Sequence, residues 1–258
     1  MSPTITLNPA TLTPDFAALE GKHIVVTGAA QGIGRAVTIA LAKAGVTVIM
    51  VDNKARHLET LYDAIVSDKG TEPVIAPLEL KTLDAEAATQ FAQHIYNEFG
   101  HLDGLLHNAA ELGSPSPMDQ YDLEYWQATL QVNAQAPYLL TRALLPVLKQ
   151  ATRADIVFTS ADCGRQPSAY WGAYAIAYAA VETQAKIWSE ELAQVSSLHF
   201  NTLDPGPART ALRRRSHPGE DQASLPLPQS LTPAYLALFD SHHAYQGEQL
   251  RIKFENAH

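Results

Sequence analysis

The sequence predicts a single α/β domain in which helices cover both faces of a doubly wound parallel sheet. Short apolar runs of strand length alternate along the chain with segments whose apolar residues recur at helical spacing. The residues from His23 to Asp52 also form a complete strand–helix–strand unit with a glycine-rich first turn. At 258 residues the chain is long enough to bury one sizeable core, and no internal repeat or linker divides it.

Composition narrows the class of protein further. The formal net charge of −9 and the pI near 5.5 argue against a nucleic-acid partner. No apolar run has the length of a membrane span, and the first 20 residues lack the features of a signal peptide. The single cysteine, Cys163, cannot form an internal disulfide and fits a reducing compartment. We therefore expect a soluble, cytoplasmic protein that binds neither nucleic acid nor membranes, and we predict no metal site.

The first strand–helix–strand unit contains a glycine-rich turn with three distinct glycine positions. Gly28 permits a tight turn out of the strand 24–26, Gly32 lets a phosphate approach bare backbone, and Gly34 lets the helix pack closely on the strand. The N-terminus of the following helix would then face an anion. Asp52 follows about 20 residues later, where a carboxylate can accept hydrogen bonds from both ribose hydroxyls of an adenosine. The unit predicts a dinucleotide site, with a glycine-rich turn that binds no nucleotide as the alternative.

Asp52 also bears on which dinucleotide is bound. NAD(H) is favoured, because a 2′-phosphate placed beside this carboxylate would be repelled. Lys54 and Arg56 follow closely, and a turn that moved either side chain inward could compensate. NADP(H) therefore stays possible.

The remaining elements follow the same alternation. Residues 1–20 contain three prolines and little periodicity, and we predict a surface arm that precedes the first strand. The domain proper is predicted to span residues 21–258. The predicted helices are 36–44, 54–67, 85–99, 123–149 and 174–194, and the predicted strands are 24–26, 46–51, 73–77, 102–107, 155–160, 198–203 and 250–254.

Five motifs in the right order and spacing resemble the classical short-chain dehydrogenases/reductases from residue 20 to residue 254. They are Thr27-Gly28 through Gly34, Asn108-Ala109-Ala110, Asn133, Tyr174, and Pro205-Gly206 through Thr210. The resemblance implies a Rossmann-type sheet, bound NAD(H) or NADP(H), and hydride exchange with an alcohol or carbonyl substrate. It also implies a homodimer or homotetramer built by pairing the helices 123–149 and 174–194. The cofactor-binding residues that it implies are Gly28, Gln31, Gly32, Ile33, Gly34, Asp52, Asn108, Tyr174, Pro205, Gly206 and Thr210.

The catalytic positions of this family are only partly retained. In the family a tyrosine transfers the proton, and a lysine one helical turn later lowers its pKa. A serine thirteen residues before the tyrosine bonds the substrate oxygen, and an asparagine completes a proton path. Here Tyr174 and Asn133 occupy the tyrosine and asparagine positions, but Tyr178 stands at the lysine position and Ala161 at the serine position. This predicts weak or altered turnover, with a non-catalytic dinucleotide-binding sensor or partner subunit as the alternative.

Neighbouring residues could substitute for the two missing groups. Ser160, Asp162 and Arg165 lie close enough in sequence to take part, although a structural loop role is the alternative for each. Lys186 lies twelve residues beyond Tyr174, about 18 Å along a helix, and is too far away.

Residues 211–231 correspond to the substrate lid of the family. Arg213 to Arg215, with His217 two residues later, make this segment basic within an acidic protein. The segment could attract an anionic substrate or a phosphate, with a solvated charge run as the alternative. Tyr170 and Trp171 would add aromatic surface near the pocket, or pack in the core.

Overall fold

The computed structural model describes residues 4–240, 242 and 245–254, so residues 1–3 of the predicted arm and 255–258 of the predicted domain lie outside the described residues. The strands are β1 (Ile5–Leu7), β2 (His23–Thr27), β3 (Thr47–Asp52), β4 (Val74–Pro77), β5 (Gly104–His107), β6 (Ala154–Thr159), β7 (Leu198–Asp204) and β8 (Gln249–Ile252). The helices are α1 (Phe16–Leu19), α2 (Gly32–Lys43), α3 (Ala55–Ser67), α4 (Ala85–Phe99), α5 (Leu123–Leu130), α6 (Ala136–Leu148), α7 (Gly172–Leu192), α8 (Ala211–Ser216) and α9 (Pro228–Ala237).

The strands described above form one parallel sheet in the order β1-β8-β7-β6-β5-β2-β3-β4. This confirms the predicted doubly wound, Rossmann-type architecture. From β2 the chain builds outward through β3 and β4, then returns to β5 on the other side of β2. The carboxyl ends of β2 and β5 therefore border a crevice at the point where the strand order reverses, which is where ligands bind in open α/β sheets.

Both faces of the sheet are covered by helices. Ile24 and Val26 of β2 pack into a core with residues of α2, α3 and α9, whereas Val25 packs with residues of α4, α6 and α7. Burial on both faces explains why β2 is a continuous apolar run with no polar alternation. No helix in the described part of the chain has the length and apolar character needed to cross a membrane.

Helix α4 is capped by a side chain at its N-terminus, whereas α2 is not. At α4 the Asp84 carboxylate accepts a hydrogen bond from the Ala87 amide at 2.8 Å, and Gly100 ends the helix in the left-handed region at φ +74°. At α2 the N-cap residue, Gln31, makes no side-chain capping hydrogen bond. The N-terminus of α2 thus retains backbone N–H groups that can bind an anion.

The prediction of a surface arm for the first 20 residues was wrong, because the segment contains β1 and the short helix α1, whose Leu19 is fully buried. Residues Ile5–Leu7 are the edge strand of the sheet, with Leu7 opposite Ile252 of β8, so the arm contributes to the sheet as well as preceding β2. Three residues are too few to display the alternation that identifies a strand in sequence. Helix α9, which begins with Pro228 inside the predicted lid segment and runs beyond it, was also not predicted.

The predicted helix 123–149 is interrupted at its centre. Helices α5 and α6 are joined by a π-helical turn at Gln131–Gln135, which contains Asn133. Such turns insert one extra residue and re-aim the neighbouring side chains, and they are frequent at functional sites.

Candidate active site

A cavity of about 790 Å³ opens at the carboxyl ends of the central strands. It extends from Asp52 at the end of β3, past Gly28, to Arg251 of β8. A space of this size accommodates a ligand as large as a typical small-molecule cofactor. The residues predicted to act in binding or catalysis that line it are Gly28, Gln31, Gly32, Ile33, Asp52, Asn108, Ala161, Tyr174, Tyr178, Pro205, Gly206 and Thr210, whereas Gly34 and Asn133 are not lining residues.

The glycine-rich turn leaves bare backbone at the wall of this cavity. Gly28 has φ +68°, and a Cβ atom there would lie 2.8 Å from the Ala109 Cα atom. A Cβ atom on Gly34 would lie 2.1 Å from the Gly28 carbonyl oxygen, so any side chain at residue 34 would force the helix away from the strand. At Gly32 a Cβ atom would meet only the Thr210 side chain, at 3.5 Å. Together with the uncapped N-terminus of α2, this backbone fits the diphosphate of a dinucleotide.

Asp52 is held firmly at the far end of the cavity. Its carboxylate accepts hydrogen bonds from the Ala30 amide and the Lys54 amide, each at 3.1 Å. The Lys54 ammonium donates to the Gln31 side-chain oxygen at 3.2 Å. The Asp52 carboxylate lines the cavity, so its contact with an adenosine ribose stays a prediction, and the Lys54 ammonium contacts Gln31 and not Asp52.

Asn133 is buried and its side-chain amide is already bonded to the backbone of the loop after β5. Its oxygen accepts from the Glu111 amide at 2.7 Å, and its nitrogen donates to the Glu111 carbonyl at 2.8 Å. The π-helical turn therefore fixes the loop that follows Asn108. The role of Asn133 in a proton path stays a prediction.

Tyr174 lies on the cavity wall beside the tyrosine that replaces the lysine. The two rings of Tyr174 and Tyr178 meet edge to face with centroids 4.7 Å apart, and both side chains are buried. Burial raises the pKa of the Tyr174 phenol well above its usual value, and a hydrogen bond with Tyr178 and the charge of Arg213 oppose this only in part. Burial likewise raises the pKa of Tyr178. At neutral pH both phenols are therefore protonated.

The serine position of the family is occupied by Ala161, and the adjacent Ser160 does not replace it. Strand β6 keeps its register with β7 up to the pair Thr159 and Leu203, and the Ser160 amide continues the ladder to the Leu203 carbonyl at 2.8 Å. The Ser160 hydroxyl is buried and donates its hydrogen to the Glu182 carboxylate. It has no second hydrogen to offer to a substrate oxygen.

Glu182 belongs to a buried network of charges at the base of the cavity, together with Arg165 and Asp204. The Arg165 guanidinium donates to the Glu182 carboxylate at 2.8 Å and to the Asp204 carboxylate at 2.6 Å. The side chain of Arg165 is only 15% exposed and does not line the cavity, which favours the structural role over the catalytic one. Arg251 approaches the Asp204 carboxylate at 3.6 Å and the Asp162 carboxylate at 3.5 Å.

Cys163 lines the cavity, but its thiol is unreactive at neutral pH. Burial, together with the nearby acidic groups, raises the pKa of its thiol to about 12. The thiol therefore stays protonated at neutral pH and is a poor nucleophile.

The lid closes over the outer part of the cavity. The Thr210 hydroxyl caps α8 by accepting from the Arg213 amide at 3.0 Å, and the Arg213 guanidinium binds the Glu220 carboxylate at 2.6 and 2.7 Å. Arg213 and Arg215 line the cavity, and the imidazole of His217 packs on the indole of Trp171 with centroids 5.4 Å apart. The basic lid therefore presents two arginines and one histidine to the space where a substrate would bind.

Two features of the site were not predicted from the sequence. The first is the ion-pair network of Glu182 and Asp204; its only sequence signal is that Glu182 lies eight residues after Tyr174, close to two helical turns, and so on the same face of α7. The second is the contact between Trp171 and His217, which joins segments 46 residues apart and which no local pattern indicates.

Comparison with known proteins identifies the family. The sequence profile of the short chain dehydrogenase family matches residues 22–221. The chain belongs to the short-chain dehydrogenase family. This confirms the resemblance seen in the motifs and places the chain among the nicotinamide-dependent oxidoreductases.

Individual members of the short-chain dehydrogenase family are similar over most of their length. The oxidoreductase YciK of Escherichia coli K12 is 39% identical over 225 residues, which cover 87% of this chain and 88% of YciK. A short-chain dehydrogenase of Escherichia coli CFT073, solved in complex with NADPH, is 37% identical with a TM-score of 0.88, covering 93% of this chain and 98% of that one. One from Shigella flexneri 2a, in complex with NADP, is 36% identical with a TM-score of 0.87, covering 92% and 98%.

Proposed function

We propose that the protein is a slow nicotinamide-dependent oxidoreductase that acts on an alcohol or carbonyl substrate and prefers NAD(H). The observation that carries this proposal is the intact cavity with Tyr174 on its wall and no lysine beside the phenol. A bound nicotinamide dinucleotide would supply the two-electron acceptor or donor. Gly28, Gly32 and the N-terminus of α2 would bind its diphosphate, and Asp52 its adenosine ribose.

A second function is favoured by the state of the catalytic groups. Ala161 and Tyr178 replace the family's serine and lysine, the neighbouring Ser160 hydroxyl is bonded to Glu182, and burial keeps the Tyr174 phenol protonated, so these side chains offer no base for an alcohol. This favours a non-catalytic dinucleotide-binding sensor or partner subunit. The two proposed functions predict different turnover. If the protein is an oxidoreductase, a panel of alcohols with NAD⁺ should show slow oxidation, measured as an increase in NADH absorbance. No change for any alcohol, from a chain that binds NADH in calorimetry, would support the sensor instead.

The preference for NAD(H) is tested by replacing Asp52. Repulsion between a carboxylate and a phosphate at close range is worth on the order of 1–4 kcal/mol, so Asp52→Ser should raise the affinity for NADPH about fivefold or more relative to NADH. Calorimetric titration with both dinucleotides measures the ratio. Asp63→Asn, which removes an exposed carboxylate from α3, is the matched control and should leave the ratio unchanged. Tighter binding of NADPH than NADH by the natural chain would contradict the preference, and NADP complexes of two relatives make this comparison necessary.

We also propose that copies of the chain associate through the helices 123–149 and 174–194. Several large apolar side chains on these segments are exposed in the single chain, which is typical of surfaces that pack against a partner. They are Leu123, Tyr125, Tyr138, Ile176 and Ile187. Light scattering of the purified protein would test the proposal, and a monomer at micromolar concentration would contradict it.

A further inference from the structure

The lid carries a histidine that lines the same cavity as the residues that replace the family's proton-transfer groups. His217 follows α8, lines the cavity, and stacks on Trp171, whose indole in turn packs on the Tyr174 ring with centroids 5.6 Å apart. The imidazole, the indole and the phenol thus form a row along one wall. Because all three side chains line the same cavity, a substrate that lies along the indole can contact both the imidazole and the phenol.

The hydrogen bonds of Ser216 favour one tautomer of His217. The Ser216 hydroxyl lies 3.1 Å from the Arg213 carbonyl oxygen, which can only accept, so the hydroxyl donates its one hydrogen there. The same hydroxyl oxygen lies 2.8 Å from Nδ1 of His217, and must accept in that second bond. Both bonds form together only in the tautomer that carries its proton on Nδ1. The other nitrogen, Nε2, keeps its lone pair and contacts no hydrogen-bond partner among the residues that the structure describes.

The charges around the ring keep it neutral at physiological pH. Burial lowers the pKa of His217, the Arg213 guanidinium lowers it further, and the Glu220 carboxylate opposes both. Glu220 is itself bound to Arg213, which weakens its effect on the imidazole. From α7 the facing groups are the indole of Trp171 and, behind it, the protonated phenol of Tyr174. A neutral imidazole with a free lone pair is able to accept a proton.

We propose that Nε2 of His217 is the proton acceptor for the alcohol substrate, in place of the tyrosine–lysine pair of the family. The proposal rests on the oxidoreductase function proposed above. In the step, the alcohol O–H bond breaks and its proton moves to Nε2. The electron pair left on oxygen forms the carbonyl double bond. The carbon-bound hydrogen leaves as a hydride with its own electron pair, which a bound nicotinamide dinucleotide, the oxidant, would accept. The imidazolium then loses its proton to water, because the lid leaves the ring partly exposed.

The first test needs no turnover. Long-range ¹H–¹⁵N correlation spectra of the natural chain, with the His217 signals assigned by their loss in His217→Gln, report which ring nitrogen is protonated. We expect Nδ1–H with an unprotonated Nε2 at pH 7.5, and a pKa below the usual 6.5 of histidine. A ring protonated on Nε2, or charged at pH 7.5, would overturn the proposal.

The second test is kinetic. His217→Gln should lower kcat/KM for alcohol oxidation about 10²-fold, the lower end of the range for general-base catalysis, while NADH affinity stays unchanged. In the natural chain kcat/KM should rise with pH through the pKa of His217, because only the neutral ring accepts a proton. The pH profile of His217→Gln should lack this rise. Arg214→Gln is the matched control, since Arg214 lies exposed on the same helix and is not a cavity-lining residue.

The outcomes separate the two proposals. If His217→Gln turns over as fast as the natural chain at every pH, the proposed role of the histidine is wrong. The oxidoreductase function is not contradicted by that result. A natural chain that binds NADH but oxidises no alcohol would contradict the oxidoreductase function, and the role of His217 would be lost with it.

Discussion

The double variant Ala161→Ser/Tyr178→Lys is expected to oxidise alcohols about 10²- to 10³-fold faster than the natural chain. Tyr178 lies edge to face with Tyr174, so a lysine ammonium at residue 178 would lie one helical turn from the phenol. A cation there that lowers the pKa of the phenol by about two to three pKa units should lower the reaction barrier by about 3–4 kcal/mol, at 1.36 kcal/mol for each pKa unit. The rate is measured as NADH formation at saturating alcohol.

Two controls show whether charge is the cause. Tyr178→Met removes the phenol but adds no cation, and should leave turnover at the level of the natural chain. Ultraviolet titration, compared with Tyr174→Phe in the same background, should reveal a phenolate at lower pH only in the lysine variant. Equal rates in the lysine and methionine variants would refute the view that the missing cation limits this site.

The variant also bears on the role of the lid histidine. Once a lysine lowers the pKa of the Tyr174 phenol, a second group can accept the alcohol proton. His217→Gln should then cost less in the double variant than in the natural chain, because two parallel routes would serve the reaction. An undiminished cost would mean that the phenol remains outside the proton path even when a cation is supplied.

The cofactor half of the site could be predicted from the sequence because its determinants are local. The turn from Gly28 to Gly34 and the acid at Asp52 lie within one strand–helix–strand unit, and a Cβ atom on Gly34 would clash with the carbonyl oxygen of Gly28, six residues earlier. The continuous apolar run of β2 likewise indicates a strand buried on both faces. These features transfer from sequence to structure without knowledge of distant contacts.

The substrate half could not be predicted in the same way, because its contacts join distant segments. The Ser160 hydroxyl would be free for chemistry if Glu182 did not accept its hydrogen, and nothing near Ser160 in sequence shows that contact. The lid residue His217 faces Trp171 only because α8 folds back over the cavity. The short strand β1 depends on β8, 245 residues later, for its pairing.

Replacing Arg165 with methionine is expected to lower the free energy of unfolding by about 3–5 kcal/mol at neutral pH. The guanidinium binds both Glu182 and Asp204, whose side chains are 6% and 3% exposed, and methionine would leave both carboxylates buried without this partner. Since a typical domain is stable by about 5–15 kcal/mol, the loss would be a large share of the total. Denaturant unfolding of the variant measures it, with Arg142→Met on the exposed face of α6 as the control, expected within about 0.5 kcal/mol of the natural chain.

The pH dependence identifies the mechanism of that loss. Burial raises the pKa of Glu182 and of Asp204 in the folded chain, and removing Arg165 removes a charge that opposes this rise. A carboxyl with a raised folded pKa takes up its proton at higher pH when folded than when unfolded, so stability increases as pH falls from the folded pKa toward about 4. The deficit of Arg165→Met should therefore be largest at neutral pH and shrink in mild acid.

If Arg165→Met does not fold at neutral pH, the double variant Arg165→Met/Glu182→Gln provides the same information. It removes one of the two buried carboxylates that lose their arginine partner. It should be more stable than Arg165→Met alone, whereas a purely steric role for the arginine predicts no recovery. A deficit that is independent of pH and unrelieved by Glu182→Gln would show that Arg165 stabilises the cavity base by packing and not by its charge.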